Sequence, residues 1–213
     1  VKTFKQQRTP KIVMDLAFKE VILGGNMHHE NLARILDIYV GDVPRLVFHW
    51  TDASRLLQTA IDDQGCSGQA FSQIQKVRIT GGMLSGLAHL HGRGIVHSNL
   101  HPSAVVVHCS PANDVPCCGE PTAQILDLAG AAILGTVTEG SSGPMEYMAP
   151  EVLAGCSDPS KLADVWSAAV VVAFVFTGRS LFGQSPADHG QALTNIFEVF
   201  GGLSTLDIDE FRK

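Results

Sequence analysis

The chain has 213 residues, of which 45% are hydrophobic and 17% are charged, and its formal net charge is -6. The hydrophobic share excludes an intrinsically disordered chain, and the acidic balance argues against nucleic acid as a partner, because nucleic-acid-binding proteins carry a basic surface. The longest apolar run, Ala168 to Phe176, has nine residues, whereas a membrane-spanning helix needs about 20. We therefore expect no membrane span.

The first quarter of the chain predicts one helix and a small sheet. Pro10 opens a helix that ends at Gly24-Gly25, with Ile12, Leu16 and Leu23 on its apolar face. Strands are predicted for Val1 to Phe4, for residues 32–40 and for residues 45–50, the last two joined by a turn at Gly41-Asp42.

The rest of the chain is predicted to be mostly helical. A short helix is expected over residues 56–60 and a long one over residues 71–91, and further helices follow over 163–177 and 188–200. The core face of the long helix is predicted to carry Ile74, Val77, Met83/Leu84, Leu87 and Leu90. Short strands are expected at 105–107 and 124–126. This order predicts an α+β fold with two unequal lobes, residues 1–50 and residues 51–213.

The cysteine pattern indicates a reduced environment. An odd count of five cysteines without a secretory signal favours free thiols in an intracellular protein of the cytoplasm or nucleus. The adjacent pair Cys117-Cys118 differs from the C-x-x-C spacing of zinc sites. With His108 and Cys109 nearby, a metal site is an alternative to a loop that happens to hold thiols.

Several short stretches occur in a fixed order, and together they carry a resemblance. They are Lys2, Glu20, His97-Ser98-Asn99-Leu100-His101-Pro102, Asp127-Leu128-Ala129-Gly130, Tyr147-Met148-Ala149-Pro150-Glu151 and Asp164-Val165-Trp166-Ser167. In this order and spacing the set resembles the eukaryotic Ser/Thr protein kinase domain over essentially the whole chain, and is loosely similar to the cyclin-dependent and related kinases. The resemblance implies a bilobal fold that transfers the ATP γ-phosphate with the help of Mg²⁺.

The resemblance also implies which residues form the nucleotide site. Lys2 matches the lysine that contacts the phosphates, Glu20 matches its helix partner, and Asp127 matches the aspartate that binds Mg²⁺. Phe48 matches the bulky gatekeeper of the hinge. Trp50 and Val106 complete the implied cofactor-binding set.

Two more expectations concern the framework around this site. Ile35, His97 and Leu128 match members of the apolar column that links the two lobes, and the remaining member falls on Gly24, which offers no side chain. Asp164 matches the aspartate that binds the backbone of the catalytic loop.

The catalytic loop departs from the family pattern H-R-D-L-K-P-x-N. Asn99 replaces the aspartate that accepts the hydroxyl proton, and an amide cannot act as that base. His101 replaces a lysine, and Ala104 replaces the asparagine that supplies the second Mg²⁺ ligand. Ser98 replaces an arginine, and Pro144 replaces a threonine that bonds the catalytic residues. We therefore expect Asn99 and His101 to be catalytically inactive.

These substitutions predict a pseudokinase that acts by binding or regulating other proteins, with weak or absent binding of ATP and Mg²⁺. Two alternatives remain open: an active but atypical Ser/Thr protein kinase, and a non-functional kinase fragment. The position of the lysine at residue 2 and the end at Lys213 imply a domain that is truncated at both ends, without the Gly-rich loop and the last helices of the family. The sequence names no partner.

Overall fold

The computed structural model describes residues 1–3, 10–25, 27–41, 43–63, 70–109, 120–136, 143–156 and 158–201. Cys66, Cys117 and Cys118 lie outside these residues, and so does the alternative metal site at the adjacent pair. Within them Cys109 is buried and Cys156 is an exposed free thiol. No group of three or more His, Cys, Asp or Glu side chains among these residues is placed to hold a metal ion.

The small lobe consists of one helix and a three-stranded antiparallel sheet. The strands are β1 (Lys2–Thr3), β2 (Ile35–Tyr39) and β3 (Arg45–Phe48), in the order β1-β3-β2, and β2 and β3 form the predicted hairpin. Lys2 pairs with Leu46, which is fully buried. The helix α1 (Pro10–Gly25) contacts β2. This sheet therefore fixes the position of Lys2 relative to α1.

The buried face of α1 differs in part from the predicted one, of which Leu23 is buried as expected. Val13, Ala17 and Glu20 are buried, whereas Ile12 is 42% exposed. The prediction was wrong at Ile12 because apolar residues occur all around this helix, so their spacing does not single out one face. The exposed Ile22 illustrates the same point.

Helices are the main elements of the described part of the large lobe, as predicted. Its helices are α2 (Leu57–Asp62), α3 (Gln73–Gly92), α4 (Pro150–Leu153), α5 (Lys161–Thr177) and α6 (His189–Val199). The side chains of Ser72 and Gln75 form a capping box at the start of α3. The predicted apolar run is the second half of α5, and no helix among the described residues is long and apolar enough to cross a membrane.

The core face of α3 was predicted only in part. Met83, Leu87 and Leu90 are buried as expected, together with Ile79. The other predicted members, Ile74, Val77 and Leu84, are exposed, so their placement in the core was wrong. Both sets recur at helical spacing, and only packing against the neighbouring elements selects one of them.

Two further sheets hold the functional loops. Strands β4 (Ser54–Leu56), β6 (Val105–His108) and β7 (Thr122–Ile125) form one sheet, and β5 (Ile95–Val96) pairs with β8 (Ala132–Ile133). The segment 97–104 connects β5 to β6, and the segment 126–131 connects β7 to β8. Because β6 pairs with β7 and β5 with β8, these two connections lie side by side.

The two lobes are joined through Asn31, which follows α1. Its side-chain Nδ2 donates a hydrogen bond to the Ala123 carbonyl, and its own carbonyl accepts one from the Ile125 N–H, both at 2.9 Å. Two glycines of α3 make room for this loop: a Cβ on Gly86 would lie 2.5 Å from Asn31 O, and one on Gly82 would lie 2.8 Å from Asn31 Nδ2. Only a residue without a side chain permits such an approach.

Candidate functional site

Lys2 links two carboxylates that come from different elements. Its Nζ lies 2.6 Å from Glu20 Oε2 and 2.7 Å from Asp127 Oδ1. The lysine is on β1, the glutamate is on α1, and the aspartate lies just after β7. The structure thus brings together three of the predicted cofactor-binding residues, and their role in nucleotide binding stays a prediction.

The two carboxylates differ in burial and in pKa. The Glu20 side chain is 1% exposed, and this burial raises its pKa although the charge of Lys2 acts in the opposite direction. Burial also acts to raise the pKa of Asp127, but the charge and hydrogen bond of Lys2 outweigh it and leave that pKa below its ordinary value. Asp127 is therefore the more firmly ionised of the two.

The backbone at Asp127 directs its carboxylate toward Lys2. The residue has φ 64° and ψ 64°, in the left-handed region, which aspartate tolerates better than most residues. A 3₁₀ turn, Leu128–Gly130, follows at once and buries Leu128. The ion pair to Lys2 and the packing of Leu128 together hold this conformation.

The absent side chain at Gly24 is compensated by its neighbours. A Cβ built on Gly24 would lie 3.2 Å from Ile35 Cδ1 and 3.6 Å from Leu128 Cδ1. These two members of the predicted apolar column therefore close around the backbone of α1. Beside them lies a narrow crevice, lined among others by Glu20, Phe48 and Asp127.

The loop after β5 is held by Asp164, near the start of α5. Asp164 Oδ2 accepts a hydrogen bond from His97 N at 2.7 Å, and Oδ1 accepts one from Ser98 N at 2.8 Å. Ser98 has φ 62°, in the left-handed region that is costly for a serine. These two charge-assisted bonds stabilise the strained turn, as predicted for Asp164.

In the same loop His101 is partly buried and Ala104 is buried. Burial is the main cause that lowers the pKa of His101 to about 4, and nearby His97 adds to it. His101 is thus neutral at pH 7. Ala104 is 1% exposed, and its only oxygen is the carbonyl, which accepts a hydrogen bond from Leu126 N at 2.8 Å.

Asn99 lies at the meeting point of three loops. Its backbone N–H donates to His97 Nδ1 at 3.3 Å. Its side chain lies between Gly130, after β7, and Gly143, before the 3₁₀ turn Met145–Tyr147. The position expected to carry the catalytic base is therefore half-buried and lies close to the backbone of two neighbouring segments.

Comparisons with known proteins decide the family. The sequence matches the protein kinase domain over residues 1–211. The chain belongs to the protein kinase family. It is 29% identical over 202 residues to mitogen-activated protein kinase 13 of Mus musculus, covering 94% of this chain and 51% of that protein. It is 28% identical over 217 residues to cyclin-dependent kinase-like 2 of Homo sapiens, covering 100% of this chain and 41% of that protein.

A solved structure supports the same fold. The yeast RNA Pol II CTD kinase CTDK-1 complex contains a chain that matches with a TM-score of 0.73 at 18% identity, covering 95% of this chain and 62% of that chain. The predicted α+β bilobal kinase fold and the Ser/Thr protein kinase resemblance are thus confirmed. The chain spans about half the length of the curated relatives it matches.

The residues of this kinase domain fit only half of a magnesium site. Mg²⁺ is bound by oxygen ligands and requires near-ideal octahedral geometry. Asp127 supplies carboxylate oxygens, one of which is paired with Lys2, whereas the side chain of Ala104 supplies none. One of the two protein ligands that protein kinases use is therefore missing.

Two predicted nucleotide-site residues take no part in the Lys2 ion pairs of this kinase domain. Trp50 is 50% exposed, and Val106 is 1% exposed in the middle of β6, paired with Leu56 and Gln124. Neither residue is among those that line the crevice beside Glu20. Their contact with a nucleotide stays a prediction.

Sequence reasoning missed two polar clusters in this kinase domain. No motif in the sequence pointed to His91, whose Nε2 lies 2.7 Å from Asp164 Oδ2. His108 bonds Ser54 Oγ at 2.7 Å through Nδ1 and Gln124 Oε1 at 3.0 Å through Nε2. The two residues in each of these three hydrogen bonds are 73, 54 and 16 positions apart in the sequence. No local sequence pattern therefore reveals the two clusters.

Proposed function

We propose that this domain is a pseudokinase, which acts by binding or regulating other proteins and does not transfer phosphate at an appreciable rate. The observation that carries the proposal is the pair Asn99 and His101 in the catalytic loop. Both lie in the loop that connects β5 to β6 and that Asp164 holds, where an active kinase requires a carboxylate and a cation.

Neither side chain supplies the chemistry that phosphoryl transfer requires. An amide at Asn99 can bond a hydroxyl but takes no proton from it, and general base catalysis is worth about 10²–10⁴ in rate. A neutral imidazole at His101 offers no fixed positive charge to the transferring phosphate. Since Ala104 also lacks a metal ligand, we propose weak or absent binding of ATP with Mg²⁺.

An active but atypical kinase is the second candidate, and one observation favours it. Lys2 and Glu20 form the lysine–glutamate ion pair that active protein kinases require, and Asp127 lies beside it. The same three residues are equally compatible with a structural ion-pair cluster between β1, α1 and the loop after β7. We propose this structural role, because the catalytic loop beside them lacks the reactive groups.

An assay of phosphate transfer distinguishes the pseudokinase from the active kinase. The parent chain is assayed with ATP, Mg²⁺ and general protein substrates beside a Lys2→Met control and an Asn99→Asp/His101→Lys/Ala104→Asn variant. We expect the parent and the Lys2→Met control to be indistinguishable. Turnover by the parent near the usual 1–100 s⁻¹ of kinases, abolished in Lys2→Met, would establish the active kinase instead.

We propose other proteins as the partners and the interior of the cell as the location, in the cytoplasm or the nucleus. Cys156, an exposed free thiol, fits a reducing compartment. The net charge of -6 argues against a nucleic-acid partner. Crosslinking of the intact protein in cell extract, followed by mass spectrometry, identifies the partners and tests this assignment.

A further inference from the structure

Two segments connect the lobes on either side of the sheet that β4, β6 and β7 form. The hinge crossing, residues 51–54, lies between β3 of the small lobe and β4 of the large lobe. The loop crossing, residues 29–33, lies between α1 and β2 and is bonded to β7 through Asn31. Both crossings are also bonded to polar side chains of this sheet.

Strand pairing places these polar side chains on one face of the sheet. Ser54 lies opposite His108 in the pair of β4 and β6, and Gln124 is two residues beyond Thr122, the partner of His108 on β7. Residues two apart on a strand share a face. Ser54 Oγ lies 2.7 Å from His108 Nδ1, and His108 Nε2 lies 3.0 Å from Gln124 Oε1. Both ring nitrogens of His108 are therefore engaged by neighbouring strands.

The direction of these hydrogen bonds follows from the acceptor at one end. Gln124 Nε2 donates to the Glu30 carbonyl at 2.8 Å. Gln124 Oε1 therefore faces His108 and accepts from its Nε2–H. Neutral His108 then accepts at Nδ1, which makes Ser54 Oγ the donor. Ser54 Oγ itself accepts from the N–H of Thr51 at 2.9 Å and from its hydroxyl at 3.0 Å.

The middle of this series of bonds is shielded from water. Ser54 is 0% exposed, and His108 and Gln124 are half-buried, whereas Thr51 and Glu30 at the two ends are exposed. Water competes little for buried polar groups, and a buried group without a partner costs free energy. The central bonds therefore favour the one arrangement in which every donor faces an acceptor.

We infer that one hydrogen-bond relay couples the hinge crossing to the loop crossing. Its members are Thr51, Ser54, His108, Gln124 and Glu30. A displacement at one crossing disturbs the bonds of the relay and is thereby passed to the other crossing. None of the five residues lies in the catalytic loop, so the relay is tested independently of the proposed absence of phosphate transfer.

Amide hydrogen exchange of the whole chain tests the coupling from the hinge side. Ser54→Ala removes the hydroxyl that links Thr51 to His108. The N–H groups of Leu32 and Ala33 donate to carbonyl oxygens, so their exchange rates report opening of the loop crossing. We expect Ser54→Ala to raise these two rates roughly five- to tenfold, the effect of one lost buried hydrogen bond.

Ser167→Ala is the matched control for this measurement. It also removes one hydroxyl that is bonded within the large lobe, to the Tyr147 carbonyl, but it lies outside the relay. We expect it to change the exchange rates of Leu32 and Ala33 by less than about twofold. An equal rise in both variants, or no rise in Ser54→Ala, overturns the coupling.

The reciprocal measurement starts from the other end of the relay. Gln124→Ala removes the link between Glu30 and His108, and the N–H groups of Thr51 and Ser54 are expected to exchange roughly fivefold faster, because coupling between two sites is reciprocal. Gln191→Ala removes an amide side chain that is bonded to Ala187 N near α6 and is expected to leave these rates unchanged. Unchanged rates in Gln124→Ala also overturn the coupling.

The tautomer of His108 in the parent chain tests the direction of the relay without any variant of its members. Burial lowers the pKa of His108, so the ring is neutral at pH 7.5. Nitrogen NMR of the ring is expected to show the proton on Nε2, and the loss of this signal in His108→Gln identifies it. A proton on Nδ1 instead overturns the relay, because Gln124 Oε1 then faces no donor.

Discussion

His101 ties the stability of the domain to pH. Its pKa of about 4 in the folded chain lies below the ordinary 6.5, mainly because the ring is buried. Between these values the unfolded chain binds more protons than the folded chain, so the free energy of unfolding falls as the pH is lowered from 6.5 to 4. The loss from this residue is up to about 3 kcal/mol.

His101→Gln tests this dependence, because glutamine has polar atoms but no titration. Urea unfolding at pH 7.5, 6 and 5 is expected to show a smaller loss of stability on acidification than in the parent. Burial also lowers the pKa of His108, so part of the pH dependence of stability is expected to remain in both proteins. The same substitution at the exposed His28 serves as control, and an unchanged pH slope in His101→Gln would contradict the assignment.

At the scale of elements, α5 and the catalytic loop act as one unit through Asp164. Its carboxylate is bonded to two backbone N–H groups and to His91, and it is 1% exposed. Asp164→Asn replaces one acceptor oxygen with an N–H donor that faces another donor. We expect a loss of about 2–4 kcal/mol in urea unfolding, from unsatisfied buried donors and the loss of charge-assisted bonds.

Ser98→Gly gives this prediction a second measurement. Glycine adopts the left-handed backbone of residue 98 without strain, so the turn then depends less on the two bonds from Asp164. The penalty of Asp164→Asn is expected to shrink by roughly 1 kcal/mol in the Ser98→Gly background. Strict additivity of the two changes would show that Asp164 does not hold the turn.

Helices and strands could be predicted where the sequence signal is local. The buried faces of the helices and the contacts between elements could not be predicted. The hairpin at Gly41 follows from turn chemistry, and the long helix over residues 71–91 follows from the helical spacing of its apolar residues. The buried side of α3 depends on packing, so Ile74 and Ile79 could not be told apart by spacing. The motif order identified Lys2, Glu20, Asn99 and Asp127, yet the contact of Gly143 with Asn99 needed the tertiary structure.

At the scale of the whole molecule, the contacts that join the lobes favour a single cooperative unit. Leu23 and Met27 of the small lobe share one apolar core with Leu57, Ile79 and Val171 of the large lobe. Asn31 adds hydrogen bonds across the junction. A non-functional relic without a stable fold would instead melt gradually. We therefore expect one cooperative transition for the 213-residue chain in calorimetry.

The midpoint of the same thermal transition also reports nucleotide binding. A ligand at 100 times its Kd stabilises the folded state by about 2.7 kcal/mol, or roughly 5–10 °C for a chain of this size. Because Lys2 is paired with Asp127 and Ala104 offers no second ligand, we expect 1 mM ATP with Mg²⁺ to raise the midpoint by less than about 1 °C. Ala104→Asn restores an oxygen ligand beside Asp127 and is the matched variant. A large, magnesium-dependent rise of the midpoint in the parent would show that the domain binds nucleotide without an oxygen ligand at residue 104. A rise that occurs only in Ala104→Asn would show that the alanine at residue 104 causes the loss of nucleotide binding.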